Sequence, residues 1–408
     1  MANEIIYGDG TNSSVEATGN SQLEQFFYDK KAVIDIQDEM YLQKLSGTTN
    51  MPKHFGETIK KYRYIPLLDD ENDNSQGLDA SGAAIAAGNL YGSSRDVGTI
   101  TSKLPDLSET GGRVNRVGFT RKQITASIVN RGFFFEWSKD AMNFDSDKEL
   151  KMHLTREAVR GASQINEDVL YISLVNNAGV NYFAGSATSI GTITGEVDDE
   201  TAAVPTMADL LNLDIELTNN KCPRDTKIIA GSRMVDTKTV RGARYMFISP
   251  DVEISFRAMK KLNGVDDAFV DVKEYTDAAG TNGKYMQALN GEIGAVGPFR
   301  LVVHPNAVMR AGAGAAVVNN LAGLRNDGSN YDVYPCLVVG SEAFTHIGFE
   351  FGAGTKGKFK TSTMMPEDNR STQDPYGKTG FTAIEFWNGV LIDRPEWIAV
   401  YNIAAKLY

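Results

Sequence analysis

The sequence has little cysteine, little proline and no long run of apolar residues. Two cysteines, Cys222 and Cys336, among 408 residues cannot form a disulfide framework and are typical of a chain kept in a reducing cytoplasm. No lysine or arginine precedes Lys30, so we expect no secretory signal. The longest stretch without a formal charge, residues 169–195, is interrupted by Asn, Gly, Ser and Thr. We therefore expect no membrane-spanning helix and a soluble protein.

Positive charge is scarce relative to negative charge. The chain has 41 Lys and Arg residues and 52 Asp and Glu residues, which gives a formal net charge of −11. Sequence-independent nucleic-acid binding needs clustered positive charge, so an acidic chain is a poor candidate for it. Apolar residues make up 42% of the chain, which is enough for a sizeable core, and the length corresponds to about two to three domains.

The sequence also lacks the residue spacings of common catalytic and metal sites. Its four histidines form no H-E-x-x-H motif, and it contains no G-x-S-x-G motif. Asp145, Asp147 and Glu149 are spaced like metal ligands, but they also lie at the first turn of a helical pattern. Carboxylates favour the helix dipole there, so we interpret them as capping residues. We predict no catalytic residues, no cofactor and no metal.

The segment 352–359 is the closest approach to a nucleotide-binding motif. It nearly matches the phosphate loop, but Phe359 stands where a Ser or Thr would bind magnesium, and no helical pattern follows. A flexible glycine-rich turn is the favoured interpretation. An enzyme that binds a nucleotide at this loop stays an alternative.

Helical and strand patterns do not alternate regularly along the chain, which favours an α+β fold over a doubly wound α/β fold. Apolar residues at steps of three and four predict a spine helix over 146–178, about 50 Å long, with a shorter helix over 206–218. The apolar stripe of the spine helix, which we predict to be buried, consists of Leu150, Leu154, Ala158, Ala162, Ile165, Val169 and Ile172. Strands are predicted over 58–65, 113–137, 226–231, 381–387, 390–392 and 397–404.

The first third of the chain contains two clusters of like charge, one acidic and one basic. An acidic cluster consists of Asp69, Asp70, Glu71 and Asp73. Residues 110–135 contain no acid but five basic residues: Arg113, Arg116, Arg121, Lys122 and Arg131. This basic island is either a solvated strand face or a contact for an acidic partner, most simply another copy of the chain. We predict that Arg113, Arg116, Arg121 and Lys122 face the acidic cluster of a neighbouring copy.

Basic and aromatic residues alternate over 60–64, as they do in platforms for single-stranded nucleic acid. An extended strand with two unlike faces explains the same pattern, and we favour that interpretation.

The order of elements resembles a known family. An N-terminal arm, a long loop between two strands, a spine helix, a mixed middle region and late strands follow one another over residues 22–408. The sequence features that carry the resemblance are S-T-Q-D-P-Y-G at 371–377, Gly380, Trp387, Trp397, the strand at 56–66 and V-H-P-N at 303–306. The chain is similar to major capsid proteins of tailed bacteriophages, most closely those of the N-four-like podophages.

The resemblance implies an α+β capsid fold with an N-terminal arm (1–57), an extended loop (58–137), a peripheral domain (138–204 and 341–408) and an axial domain (205–340). It also implies hexamers and pentamers of this chain in an icosahedral shell around double-stranded DNA, without enzyme activity and without a membrane partner. Scaffolding, decoration and portal proteins are the further partners that it suggests, with the virion and the host cytoplasm as locations. An encapsulin-like bacterial nanocompartment shell is the alternative.

Overall fold

A computed structural model of the chain describes residues 4–5, 41–51, 56–69, 71–72, 83, 91, 94–107, 109, 115, 117–144, 150–196, 202–230, 236–240, 244–277, 291–349, 360–370, 372 and 374–406. The chain divides into a small unit, Glu57–Ser127, and a large unit formed by Met1–Gly56 and Ile128–Tyr408. Asp145, Asp147, Glu149 and the glycine-rich segment 352–359 lie outside the described residues.

Helices and strands are mixed along the chain, as predicted for an α+β fold. The helices are α1 (Val97–Ser102), α2 (Lys139–Phe144), α3 (Leu150–Asn176), α4 (Met207–Asn219), α5 (Glu253–Arg257) and α6 (Val272–Asp277). The strands are β1 (Glu4–Ile5), β2 (Gly47–Met51), β3 (Thr58–Tyr64), β4 (Arg121–Ser127), β5 (Val129–Ser138), β6 (Val180–Phe183), β7 (Thr226–Ala230), β8 (Asp236–Val240), β9 (Arg244–Ile248), β10 (Phe269–Asp271), β11 (Glu292–Val296), β12 (Phe299–Val303), β13 (Tyr334–Val339), β14 (Phe344–Phe349), β15 (Lys360–Met364), β16 (Thr379–Ile392) and β17 (Ile398–Ile403).

The small unit is built on an antiparallel pair, β3 and β4, whose register runs from Thr58 opposite Ser127 to Tyr64 opposite Arg121. Between the two strands, the described part of the connection includes helix α1. The carboxylate of Asp96 caps this helix by accepting a hydrogen bond from the backbone amide of Thr99 at 2.7 Å. The strand predicted over 58–65 is confirmed.

The strand predicted over 113–137 is wrong in its length. The structure has two strands there, β4 and β5, separated at the buried residue Ile128. Strand β4 belongs to the small unit, whereas β5 belongs to the large unit and pairs there with β16. The bounds of the arm, loop, peripheral domain and axial domain stay predictions.

The first sheet of the large unit is centred on β16, a strand of 14 residues. The strand order is β1-β5-β16-β14-β2, and β15 pairs with the part of β16 that precedes its contact with β14. Burial alternates along β16, and Thr382, Ile384 and Phe386 are buried. The strands predicted over 381–387 and 390–392 are therefore parts of one strand.

The second sheet has the order β10-β11-β12-β9-β13-β17-β6 and forms the centre of the core. Strands β9, β13 and β17 are buried at every position because helices cover both faces of the sheet. On β9, Met246 packs in the same cluster as Leu213 of α4, and Phe247 packs in the same cluster as Leu174 of α3. Helix α4 and strand β17 agree with the elements predicted over 206–218 and 397–404.

Helix α3, with 27 residues and a length of about 40 Å, packs on both sheets of the large unit. Its N-terminal half places Ala158 and Ala162 against Phe386 of the first sheet. Its C-terminal half places Leu170 and Leu174 in the cluster that covers the second sheet. The predicted spine helix is confirmed, and it joins the two sheets.

The buried stripe predicted for this helix is wrong beyond Ala162. Ile165 and Ile172 are exposed, whereas the polar residues Asn166 and Glu167 are buried. The apolar pattern identified the wrong face because the true inward face carries these two polar side chains.

Candidate subunit-contact surface

The structure describes only half of the residues predicted to form the charged contact. Arg121 and Lys122 begin strand β4, and Asp69 and Glu71 lie in the turn that follows β3. The other four residues lie outside the described residues: Asp70, Asp73, Arg113 and Arg116.

The described members of the two charge clusters meet within one chain. Lys122 Nζ lies 2.7 Å from Glu71 Oε2, and both side chains are about half exposed. The guanidinium of Arg121 lies 4.1 Å from the ring centroid of Tyr62, in a cation–π contact. Lys122 and Arg121 therefore both have contacts inside their own subunit. An exposed ion pair such as Lys122–Glu71 contributes only about 0–1 kcal/mol to stability.

The fifth basic residue of the island lies in the large unit. Arg131 is on β5, and its Nε donates to Oδ1 of Asn388 on β16 at 3.1 Å. This hydrogen bond connects two strands of the first sheet, so Arg131 has a structural role there.

The β3–β4 pair of the small unit has no buried residue on either strand. Large apolar side chains of this unit are exposed, including Tyr64 at 62% and Phe119 at 66%, whose ring centroids are 5.6 Å apart. Other exposed apolar residues of the unit are Tyr62, Leu67, Leu68, Val97, Leu104 and Leu107. A two-stranded hairpin is marginally stable alone in water, and an exposed apolar patch marks a contact site. The small unit therefore presents surface suited to contact with another protein chain.

The large unit has an open sheet face of its own. Helix α3 covers one face of β5 and β16, with Phe133 packed against it. Phe134, the next residue, points to the opposite face and is 62% exposed. Strand β15 is exposed along its whole length. This second surface combines an exposed aromatic side chain with an exposed edge strand.

Buried polar side chains attach other segments to helix α3. Glu167 Oε1 accepts hydrogen bonds from the backbone amides of Tyr41, at 2.9 Å, and Leu42. Asn166 Oδ1 lies 3.2 Å from Nε2 of His346 and accepts a hydrogen bond from the amide group of Asn388 at 2.9 Å. Asn166 and Glu167 thus hold β14, β16 and the segment before β2 on the spine helix. Sequence analysis missed both residues, because buried Asn and Glu break the apolar pattern that it followed.

A second buried histidine, His304, lies beside this network. Its Nδ1 accepts the backbone amide of Asn306 at 3.2 Å, and its Nε2 lies 4.0 Å from Glu167 Oε1. The rings of Tyr41 and Tyr171 pack beside it, with centroids 4.9 and 5.4 Å away. Burial lowers the pKa of His304 from 6.5 to about 4, so the imidazole is neutral at pH 7. The sequence singled out this residue only as part of V-H-P-N.

A buried ion pair connects α4 to the second sheet. Arg244 on β9 donates to Asp214 on α4 and also to the backbone carbonyl of Cys222 at 2.6 Å. Arg224 reaches the other carboxylate oxygen of Asp214 at 2.7 Å. These partners fully engage the charge of Asp214, so the cluster is structural.

The described residues contain neither a thiol with a lowered pKa nor a metal-binding cluster. Burial raises the pKa of both thiols, Cys222 and Cys336, which keeps them protonated at pH 7. Among the described residues, no group of three or more His, Cys, Asp or Glu side chains could hold a metal ion. Within the same part of the chain, every helix is too short or too polar to cross a bilayer.

Comparison with known sequences supplies a family match over most of the chain. A family model described as "Phage capsid protein" matches residues 121–400. The chain is also 43% identical over 394 residues to the major capsid protein of Pseudomonas phage KPP21, covering 96% of each sequence.

Comparison with solved structures shows a likeness of fold. The capsid of Ralstonia phage GP4 matches with a TM-score of 0.58 and 12% identity, covering 94% of this chain and 96% of that chain. The capsid of cyanophage P-SCSP1u matches with a TM-score of 0.50 and 12% identity, covering 98% of both chains.

Proposed function

Because this chain belongs to the phage capsid protein family and is a structural component of a phage capsid, we propose that its copies form hexamers and pentamers that build an icosahedral shell around double-stranded DNA. The observation that carries this proposal is the 43% identity, over 96% of the chain, to a major capsid protein. The formal net charge of −11 also fits, since a shell of like charge does not adhere to the DNA that it encloses. The protein acts without enzyme activity.

A nanocompartment shell is the less favoured alternative. The family match and the 43% identical relative are both phage capsid proteins, and neither is a nanocompartment protein. A nucleotide-dependent enzyme stays an untested alternative, because its candidate loop, residues 352–359, lies outside the described residues.

Within the shell, the small unit contacts a neighbouring copy. Support comes from strands β3 and β4, which bury no residue of their own, and from exposed side chains such as Tyr64 and Phe119. Covering this surface with a second subunit removes apolar area from water, at about 25 cal/mol per Å². A shell repeats the contact at every subunit, so even a weak contact affects assembly.

The charge clusters add an electrostatic part to this contact. Lys122 already pairs with Glu71 in its own chain, so Arg113 and Arg116 are the basic residues proposed to face Asp69 and its acidic neighbours on another copy. Opposite charges at the contact offset part of the repulsion between acidic subunits. Each exposed pair contributes about 0–1 kcal/mol and weakens with salt, since the Debye length falls from about 10 Å at 0.1 M to about 3 Å at 1 M.

Assembly takes place in the host cytoplasm, and the product is the virion capsid. Scaffolding, decoration and portal proteins are the further partners of the shell. The exposed sheet face around Phe134 and the edge strand β15 are surfaces that such partners, or further copies, can cover.

Electron microscopy of the purified full-length protein tests the shell. We expect closed particles of uniform size, or capsomers that close when concentrated. A protein that stays monomeric over a wide range of salt and concentration contradicts the proposal.

Charge variants test the contact itself. Arg113→Glu with Arg116→Glu should lower particle yield, most strongly at low salt. The control Lys261→Glu with Lys378→Glu makes the same change in net charge at two exposed lysines outside the proposed contact surfaces and should assemble normally. Equal yields for the two double variants favour a solvated strand face instead.

A charge swap tests whether Glu71 is the partner that matters for Lys122. Lys122→Glu alone places two acids side by side, and adding Glu71→Lys restores an opposite pair at the same position. We expect the swap to restore assembly, because the ion pair is regained with its charges exchanged. Continued failure of the swap would assign Lys122 a partner other than Glu71.

A further inference from the structure

Strand β15 forms an open edge of the first sheet. It pairs antiparallel with β16 over five consecutive residues, from Lys360 opposite Glu385 to Met364 opposite Phe381, without a shift of register. Among the described residues it pairs with no other strand, and every residue of β15 is exposed. Its outer side therefore presents a row of backbone amides and carbonyls that have no partner strand in the described part of the chain.

Helix α3 does not cover β15. Thr361 and Thr363 lie on the helix side of the sheet, because their partners on β16 are the buried residues Ile384 and Thr382. The two threonines are themselves exposed, so the cover that α3 gives to β16 ends before it reaches β15. A strand that is held by one ladder and packs on no helix gains stability from a second partner strand.

The sequence of β15 does little to prevent pairing at this edge. Natural edge strands are usually protected by proline, by a bulge or by several charged side chains. Strand β15 has no proline, its register is regular, and its only charged residue is Lys360 at the first position. The central residues Thr361, Ser362 and Thr363 are small and uncharged, and threonine suits a pleated ladder. The edge is therefore suited to pair with another strand.

The strand is also complementary to a second copy of itself. If a twofold axis passes through Ser362, all five residues are paired: Thr361 faces the partner's Thr363, and Lys360 faces the partner's Met364. At about 3.4 Å per residue, the two copies of Lys360 lie about 14 Å apart along the strands, which exceeds the Debye length of about 10 Å at 0.1 M. Each Lys360 Nζ also lies 3.6 Å from Glu385 Oε2 of its own chain. Antiparallel pairing therefore brings no like charges together.

We propose that β15 pairs antiparallel with β15 of a second copy of this chain, centred on Ser362, so that the first sheets of two subunits form one continuous sheet. Each strand gives the other the same hydrogen bonds, as a twofold contact requires. The inference rests on the proposed function in one respect, because an icosahedral shell supplies the twofold axes for such a contact. It concerns a surface separate from the small unit and depends on backbone hydrogen bonds.

Disulfide cross-linking of the full-length protein under assembly conditions tests the pairing. Residues that face each other in an antiparallel pair have Cα atoms about 4.5–5.5 Å apart, which a disulfide can span. Ser362→Cys should therefore give a covalent dimer as the main product of mild oxidation. Thr361→Cys is the matched control on the same exposed strand, because its two copies are offset by two positions, with Cα atoms about 7–8 Å apart. Both native cysteines are buried, so they give no background.

A mixture of two variants tests the register. Thr361→Cys subunits and Thr363→Cys subunits should each stay monomeric on a non-reducing gel. They should cross-link when mixed before assembly, because positions 361 and 363 face each other across the axis. If Thr361→Cys alone gives as much dimer as Ser362→Cys, the cross-links come from random encounters and the proposal is overturned.

A charge at the axis gives a second readout. Ser362→Asp places two carboxylates directly opposite each other and should lower the particle yield several-fold at low salt, whereas the uncharged Ser362→Asn should not. Equal yields for these two variants, or normal particles in which Ser362→Cys gives no dimer, overturn the strand pairing and leave the shell intact. If the unaltered protein forms no particles, the shell itself is contradicted, and cross-linking of concentrated Ser362→Cys subunits still decides the pairing.

Discussion

The pH dependence of stability should depend strongly on His304. This residue is 2% exposed, and burial lowers the pKa of its imidazole from 6.5 to about 4. Above pH 6.5 the folded and unfolded states are both neutral at this site, so no stability is lost. As the pH falls from about 6.5 to 4, the unfolded state takes up a proton that the folded state excludes. The free energy of unfolding should therefore fall by about 3 kcal/mol over this window.

The groups around His304 set the size of this effect. Glu167 Oε1 is 4.0 Å from Nε2, and Tyr41 and Tyr171 pack on the ring. Glu167 already accepts two backbone amides, so its carboxylate does not move freely toward a new cation. If it nevertheless pairs with the protonated imidazole, the loss of stability in acid is smaller.

Urea unfolding of full-length subunits at pH 7 and pH 4 measures the effect. The reference variant is His304→Asn, because the Asn oxygen can replace Nδ1 as the acceptor for the Asn306 amide. The variant is less stable at both pH values because it leaves a cavity, but it lacks the proton-linked loss. For each protein, the free energy of unfolding at pH 4 is subtracted from that at pH 7. The difference between these two losses removes the contribution of the carboxylates, which both proteins share. If the unaltered protein loses less than about 1 kcal/mol more than the variant in acid, the reasoning is refuted. Protonated His304 would then pair with Glu167.

Three further changes should have distinct effects. Arg244→Met should lower the free energy of unfolding by at most about 3–5 kcal/mol, because it leaves the buried carboxylate of Asp214 with only the exposed Arg224 as its charged partner; urea denaturation measures this loss. Ala162→Leu should cost about 1–3 kcal/mol through overpacking between α3 and β16, visible as a lower thermal midpoint. Glu196→Gln should loosen the loop at 318–320, whose three backbone amides the carboxylate accepts, and faster hydrogen exchange there would report it. In the unaltered protein the same loosening should appear as the pH falls from 4.5 toward the Glu196 pKa of about 2.

Much of the fold could be predicted from the sequence, where local periodicity and burial agree. Helix α4 and strand β17 have one apolar pattern each and a clear boundary, and α4 begins directly after its cap at Thr206. The spine helix could be predicted for the same reason, although its inward face could not. Asn166 and Glu167 are buried because they hydrogen-bond to segments that lie far away in the sequence, and no local pattern reports such partners.

The contact surface could be predicted only in part. A basic island and an acidic cluster are visible in the sequence. The distances between their side chains, however, depend on the register of β3 against β4. That register brings Lys122 to Glu71 within one chain, which a charge pattern alone does not reveal.

The pairing of β5 with β16 has a consequence for the order of events during synthesis. Arg131 and Asn388 are in contact across 257 sequence positions, and β15, β14 and β5 all pair with the same late strand. At about 5–20 residues per second, a ribosome needs roughly 10 to 50 s to make the chain between them. Until then strand β5 has no β16 to pair with, and helix α3 lacks the β16 side chains against which it packs. A nascent chain therefore cannot complete its first sheet, and subunits become competent for association only after translation is nearly finished.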